Sequence, residues 1–235
     1  MIGCSSSDFA VAGAGDDTGA TSDTPSSFDA KGDVDDAASV VDASVDSSTD
    51  AGPDGGPATA TGCADLTREY LIDVAKLPNV AGCSGGWTLP GLGSDLAGGC
   101  AHVAGNDSAN ASGTGCHASD LCAVGWHVCA DNVEFQLKSG LSKCPDVTAA
   151  KAFFASGQRS ASAGVCLPDP PVGVSNDIFG CGTLGDATGS CGSLNRTMST
   201  FTTDTASWSL GTDNDHERDN VAKGRLNGGV LCCSP

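Results

Sequence analysis

A run of oxygen-bearing side chains near the C-terminus is the segment best suited to chemistry. Residues 213–220 read DNDHERDN, and four of them are carboxylates at alternate positions: Asp213, Asp215, Glu217 and Asp219. Because Ca2+ takes about six to eight oxygen ligands, this pattern predicts calcium as a candidate cofactor, with these four side chains as ligands. The spacing matches no EF-hand, and a solvated acidic loop is the alternative interpretation.

Two residues beside these carboxylates are candidates for direct ligand contact. Asn214 offers an amide within the loop, and Trp208 precedes the loop in the sequence TASWSLG. An exposed indole can serve as a platform for a sugar ring or an apolar side chain. A tryptophan at this position is otherwise expected in the core.

The cysteines indicate the compartment. The chain has thirteen, of which Cys4 stands alone and twelve lie beyond residue 60. An even set in an exported chain predicts a disulfide framework, here six disulfides. No C-x2-C pair is present to indicate zinc. The predicted disulfide residues are Cys63, Cys83, Cys100, Cys116, Cys122, Cys129, Cys144, Cys166, Cys181, Cys191, Cys232 and Cys233.

The odd cysteine has its own explanation at the N-terminus. The chain starts Met-Ile-Gly-Cys-Ser, and Gly3-Cys4 after apolar residues resembles the end of a bacterial lipoprotein signal (residues 1–4). The resemblance implies that Cys4 is acylated, that the protein is an outer-membrane lipoprotein, surface-exposed or periplasmic, and that the true start lies upstream. A stray thiol in a short N-terminus, in a secreted protein, is the alternative.

Composition divides the rest of the chain into a tail and a domain. Residues 5–60 contain twelve aspartates and one lysine among Ala, Gly, Ser, Thr and Pro, so they are predicted to form a disordered acidic linker. Residues 61–235 are predicted to form one globular domain. The net charge of −18 argues against nucleic acid as a partner. The only membrane contact predicted is the lipid anchor.

Periodicity predicts an α+β domain with two or three helices and short antiparallel strands. Apolar spacing predicts helices over 64–77, after Asp131 and over 146–156. In the second helix, Asp131 and Glu134 form a capping box, Val133, Leu137 and Leu141 share a face, and Gly140 lies near the end. Strands are predicted at 125–129, around Trp208 and over the terminal GGVLCC, whose two cysteines point to opposite faces and bind different partners.

These elements carry a family resemblance over residues 118–235. The chain resembles bacterial C-type-lectin-like surface domains, distant relatives of formylglycine-generating enzymes. Those have a C-P-x-G-W-x-L-P-T-x-x-E-W segment, then a Trp-Ser-Ser strand and a closing G-x-S-V-R-C strand; here Glu134 falls one place later and the Leu-Pro-Thr turn is absent. The matching residues are Cys122, Gly125, Trp126, His127, Glu134, Phe135, Trp208, Ser209, Gly229, Val230, Leu231 and Cys232.

Together these observations predict a lipid-anchored cell-surface binding or structural module without catalysis. Its ligand is expected to be a glycan or a protein. The alternative is a surface or secreted enzyme on the same fold, either a hydrolase or an oxidase of the formylglycine-generating type. The oxidase requires reactive cysteines that are left unpaired.

Overall fold

The computed structural model describes residues 61–93, 96–149, 151–157, 160–162, 165–166, 177–200 and 206–235. All of them belong to one compact unit, residues 50–235. Cys4 and the predicted linker 5–60 lie outside the described residues. No helix in the described part is long and apolar enough to cross a membrane.

The fold is mixed α+β, mostly strands with few helices, as predicted. The strands are β1 (Val80–Ser84), β2 (His127–Val128), β3 (Phe153–Ser156), β4 (Ser160–Ser162), β5 (Val165–Cys166), β6 (Ile178–Gly182), β7 (Arg196–Met198), β8 (Trp208–Ser209), β9 (Ala222–Lys223) and β10 (Gly228–Cys233). The helices are α1 (Asn132–Ser139) and the four-residue α2 (Glu217–Asn220), with a 3-10 helix at Ala118–Leu121.

A six-stranded sheet forms the centre, in the order β1-β10-β3-β6-β7, with β2 also paired to β10. The pairs are antiparallel except for β10 and β3, which run parallel. Strands β4 and β5 form one separate antiparallel pair, and β8 and β9 form another. The terminal strand β10 is therefore the axis to which the other elements of the main sheet are attached.

Both faces of the sheet are covered. In β10, Val230 and Cys232 belong to one buried cluster, while Leu231 and Cys233 belong to the other. Since neighbouring side chains in a strand point to opposite faces, such continuous apolar runs are typical of a strand that is buried on both sides.

Six disulfides use all twelve cysteines of the domain, as predicted. They are Cys63–Cys83, Cys100–Cys116, Cys122–Cys232, Cys129–Cys233, Cys144–Cys181 and Cys166–Cys191. The adjacent cysteines of β10 bind different partners on opposite faces, which was the expectation from the GGVLCC strand. Such a framework indicates an oxidising or extracellular environment.

The helix predicted over 64–77 is wrong. Leu66 and Leu71 have left-handed φ angles of 68° and 56°, and Leu66 is 60% exposed. The buried Arg68 guanidinium donates to the carbonyl oxygens of Leu71 and Leu77, at 3.1 and 2.8 Å. The segment instead pairs with β1 through a bridge between Tyr70 and Gly82. The Cys63–Cys83 disulfide and the Arg68 side chain thus hold this segment in place of the backbone hydrogen bonds of a helix.

The helix predicted over 146–156 is also wrong, because its second half is β3. Phe153 and Phe154 are both buried, one in each cluster, which fits the two-residue period of a strand. Ala150 lies outside the described residues.

Helix α1 begins and ends as predicted, but its buried face differs. The Asp131 side chain accepts the Glu134 N–H, and Gly140 ends the helix with φ 69°. Leu137 is 80% exposed and Val133 is exposed as well, while Phe135 is fully buried. The apolar stripe that was predicted for this helix is therefore wrong.

Candidate functional site

Some carboxylate oxygens of the acidic loop 213–220 form hydrogen bonds within the loop. One Asp213 carboxylate oxygen accepts the Asp215 N–H at 3.0 Å, and the other lies 2.8 Å from Nδ1 of His216. These hydrogen bonds, the first of them foremost, lower the pKa of Asp213. Asp213 thus stabilises an exposed turn before α2 through these two hydrogen bonds.

Glu217 points away from that turn. It is 0% exposed, and its carboxyl group accepts the Thr200 N–H at 3.2 Å. Burial, and to a smaller extent the neighbouring buried Asp177, raise its pKa to about 7. The Thr200 hydroxyl contacts the side-chain oxygens of both Glu217 and Asn214.

The four predicted calcium ligands are therefore not gathered. Among the described residues, no three of the side chains of Asp213, Asp215, Glu217 and Asp219 have ligand oxygens within 4.8 Å of one another. Asp215 and Asp219 are exposed, whereas Glu217 faces the interior. Calcium at this loop stays a prediction.

Trp208 is a core residue. It is 6% exposed, and its ring lies edge-on to Trp87 and Phe153, with centroids 5.5 and 5.4 Å away. Its indole N–H donates to the carbonyl oxygen of Asn227 at 3.3 Å. The exposed platform that was considered for this residue is absent.

A cavity of about 490 Å3 opens between two loops, far along the chain from the acidic loop. One wall is formed by residues within 69–77 and the other by residues 145–149, 151 and 152, which lead into β3. The Cys63–Cys83 and Cys144–Cys181 disulfides attach the chain to the sheet shortly before each of these two segments. Each wall therefore follows a covalent anchor.

The base of the cavity is apolar and aromatic. The rings of Tyr70 and Phe154 are stacked, with centroids 5.0 Å apart and an interplanar angle of 22°. Both rings are buried, and Leu77 and Val147 pack beside them. The Tyr70 hydroxyl donates to the Pro145 carbonyl oxygen at 2.7 Å, which joins the two walls. Burial raises the pKa of this phenol above its ordinary value.

A carboxyl group lies at one end of the cavity. Glu69 lines it and accepts the Ser84 N–H at 2.7 Å. Glu69 is exposed as a residue, but partial desolvation of its carboxyl group, with smaller contributions from the charges of Asp65 and Asp107, raises its pKa to about 7. Glu69 thus changes charge near neutral pH.

Asp65 and Asp107 form a second group of acids with Glu69. Ligand oxygens of the three side chains lie within 4.8 Å of one another. Asp65 and Asp107 are 42 residues apart in sequence and are joined by a hydrogen bond from the Asp107 N–H to Asp65 at 3.1 Å. The three acids are close in space, and the hydrogen bonds that Asp65 accepts come from the backbone N–H groups of Thr67 and Asp107.

Sequence reasoning missed this cavity. Glu69 and Tyr70 were assigned to a helix, and the residues of the opposite wall to another. No local spacing joins these segments, because the cavity depends on a β-bridge and on disulfide pairing. Asp65 and Glu69 are only four residues apart in the sequence, but Asp107 comes from a distant loop.

Comparison with protein-family models, curated proteins and solved structures gave no match to the chain. The resemblance of residues 118–235 to C-type-lectin-like domains thus stays a prediction.

Proposed function

We propose that this protein is a cell-surface binding module without catalysis, and that it binds its ligand in the cavity between residues 69–77 and 145–152. The cavity carries the proposal. It combines an apolar aromatic base with polar groups at its edge, which is the general composition of ligand sites in proteins. Its size suits a small molecule or one side chain or sugar unit of a larger glycan or protein.

The rigidity of the cavity supports binding. A disulfide anchors the chain shortly before each wall, and the Tyr70 hydroxyl joins the walls through the Pro145 carbonyl oxygen. A preformed site loses less conformational entropy when a ligand binds.

The disulfides favour this function over the oxidase alternative. All twelve cysteines in 61–235 are paired, while an oxidase of the formylglycine-generating type needs reactive thiols. In the described part of the chain there is no unpaired thiol for that reaction.

The proposal includes a lipid anchor at Cys4 and an outer-membrane location. An acylated cysteine would attach the chain to the membrane surface, and the acidic linker would separate the domain from that surface. Metabolic labelling of the natural full-length product with an alkyne fatty acid tests the anchor. Labelling that disappears in Cys4→Ser is expected, and equal labelling of both forms contradicts the anchor.

A blocking substitution tests the cavity. Thr148 is exposed and lines it, so Thr148→Trp fills the space without entering the core. Gln136→Trp, on the exposed side of α1, is the matched control. We expect binding on glycan and purified surface-protein arrays to be lost in the first variant and kept in the second. Equal binding by both variants contradicts the assignment of the cavity.

A further inference from the structure

The polar end of the cavity holds the Glu69 carboxyl group next to Ser84. The Ser84 N–H donates to Glu69 at 2.7 Å, and the Ser84 carbonyl oxygen accepts the Asn106 N–H at 3.0 Å. Ser84 thereby joins the Glu69 carboxyl group to the Asn106 backbone, and all three residues line the cavity.

The charged residues around the cavity favour a cationic ligand. Asp65 and Asp107 lie against Glu69, outside the cavity lining, and add negative potential at its polar end. Four charged residues line the cavity, namely Glu69, Asp73, Asp146 and Lys151, and Asp73 is paired with Lys76 at 2.9 Å. The acids outnumber the bases around this space. A carboxylate or phosphate would meet like charge there, whereas a cation would be attracted.

The other end of the cavity selects an apolar body. Tyr70 and Phe154, whose stacked rings are largely buried, line this end together with the partly buried Leu77 and Val147. Burying apolar area against it contributes roughly 25 cal/mol per Å2. A short hydrocarbon chain fits this end, and a bare metal ion or a small polar anion gains nothing from it.

We infer that the cavity takes a primary alkylammonium group, with its N–H donors on the Glu69 carboxylate and its hydrocarbon stem against the apolar lining of the cavity. This inference rests on the proposed binding function and names its ligand class. The group has two natural sources, a free alkylamine and the lysine side chain of a partner protein.

Three small probes of equal length test the charge preference. They are n-pentylamine, n-pentanol and pentanoate, titrated at pH 8 into the disulfide-intact protein and followed by backbone amide NMR shifts. We expect pentylamine to bind best, pentanol weakly and pentanoate not at all, with shifts centred on the amides of Tyr70, Asn106 and Phe154. Nα-acetyl-lysine methylamide and its Nε-acetylated form distinguish a lysine side chain from a free amine as the source.

Two variants locate the contact. Glu69→Gln is expected to weaken pentylamine at least about tenfold, because it removes a charge-assisted hydrogen bond, and to leave pentanol unchanged. The exposed Asp215→Asn is the control for loss of a negative charge elsewhere. Thermal melts of each variant establish that it is folded.

The outcomes separate this inference from the proposed function. If pentanol binds in the cavity as tightly as pentylamine, or pentanoate binds more tightly, the cavity is a binding site but the cationic ligand class is wrong. If no probe shifts the cavity amides, both the ligand class and the assignment of the cavity are wrong.

Discussion

The Lys223 ammonium group lies 5.2 Å from the centroid of the Trp208 ring, in the interior of the domain. It also lies 5.9 Å from the Trp87 ring centroid and donates to the carbonyl oxygens of Gly85, Gly224 and Leu226, at 2.8, 3.0 and 2.9 Å. Burial lowers the pKa of Lys223 to about 7, and the charge of Glu69 opposes this shift. Three carbonyl acceptors and two aromatic faces favour the ammonium form.

This arrangement predicts that Lys223→Met is strongly destabilising. The methionine matches the stem but leaves three carbonyl oxygens without a donor, so we expect a loss of about 3 kcal/mol or more. Urea denaturation of the oxidised protein at pH 6 measures it. Lys143→Met, at an exposed position, is the control and should change stability by less than about 0.5 kcal/mol. A loss below about 1 kcal/mol in the Lys223 variant would show that the carbonyl groups find other partners.

A second prediction concerns Asp120, whose buried carboxylate orders the loop 98–102. It accepts four backbone N–H groups, from Gly99, Cys100, His102 and His117, at 2.7 to 3.3 Å. Burial opposes its ionisation, but these donors outweigh burial, so its pKa is lowered. Asp120→Asn should cost roughly 2–4 kcal/mol at pH 7.

The sign of the pH effect provides the check. A carboxyl group with a lowered pKa in the folded state stabilises above its unfolded pKa of 3.8, and this contribution is lost as pH falls through the folded value. The stability difference between wild type and Asp120→Asn should therefore shrink at acid pH. A difference that is constant from pH 7 to pH 2.5 would contradict the prediction.

The local signals in the sequence predicted only the local part of this structure. Asp131 and Gly140 define α1 through short-range chemistry, and both were correct. The terminal strand was also readable, because GGVLCC combines β-branched and apolar residues with adjacent cysteines. The prediction of a helix over 64–77 was wrong because long-range constraints override the periodic apolar pattern. These constraints are the disulfide of Cys63 and the hydrogen bonds of the buried Arg68 guanidinium.

The candidate site was less predictable than the fold. The Glu69 carboxyl group belongs to the cavity only because Tyr70 pairs with Gly82 and because two loops meet across Tyr70 and Pro145. Such contacts depend on disulfide connectivity, which spacing alone does not give. The acidic loop 213–220 was conspicuous in sequence, yet Glu217 at its centre is a buried residue.

Glu217 provides a third prediction. Burial, together with Asp177, raises its pKa to about 7, from an ordinary 4.5. An acid whose pKa is raised by folding keeps its proton in the folded state, so stability falls as pH rises from about 4.5 to about 7. Glu217→Gln carries no charge at any pH. We therefore expect the variant to gain stability relative to wild type over this range, measured by urea midpoints at pH 4.5, 6 and 8. Parallel curves for the two proteins would contradict this interpretation.

The two disulfides of β10 give a fourth prediction. Cys122–Cys232 and Cys129–Cys233 close the longest loops among the disulfides, with separations of 110 and 104 residues. Loop closure restricts the unfolded chain, so the Cys122→Ala/Cys232→Ala double variant should lose about 2–5 kcal/mol. Stepwise reduction and alkylation with mass mapping should show these pairs and no free thiol in 61–235 before reduction. A bond between the adjacent Cys232 and Cys233 would contradict the register of β10.

The last prediction joins the pKa of Glu69 to ligand binding. With its pKa raised to about 7, mainly by burial, Glu69 is largely protonated at pH 6 and ionised at pH 8. An alkylammonium ion, with a pKa near that of lysine at about 10, stays charged at both values. Pentylamine affinity should thus rise from pH 6 to pH 8 in wild type and rise less in Glu69→Gln. The nearby groups Asp65, Asp73, Asp107, Asp146, Lys76 and Lys151 are common to both proteins. Lys223 is common as well, but burial lowers its pKa to about 7 and the Glu69 charge opposes that shift, so the difference reports Glu69 together with its effect on Lys223. A rise of equal size in the variant would assign the pH dependence to one of those groups.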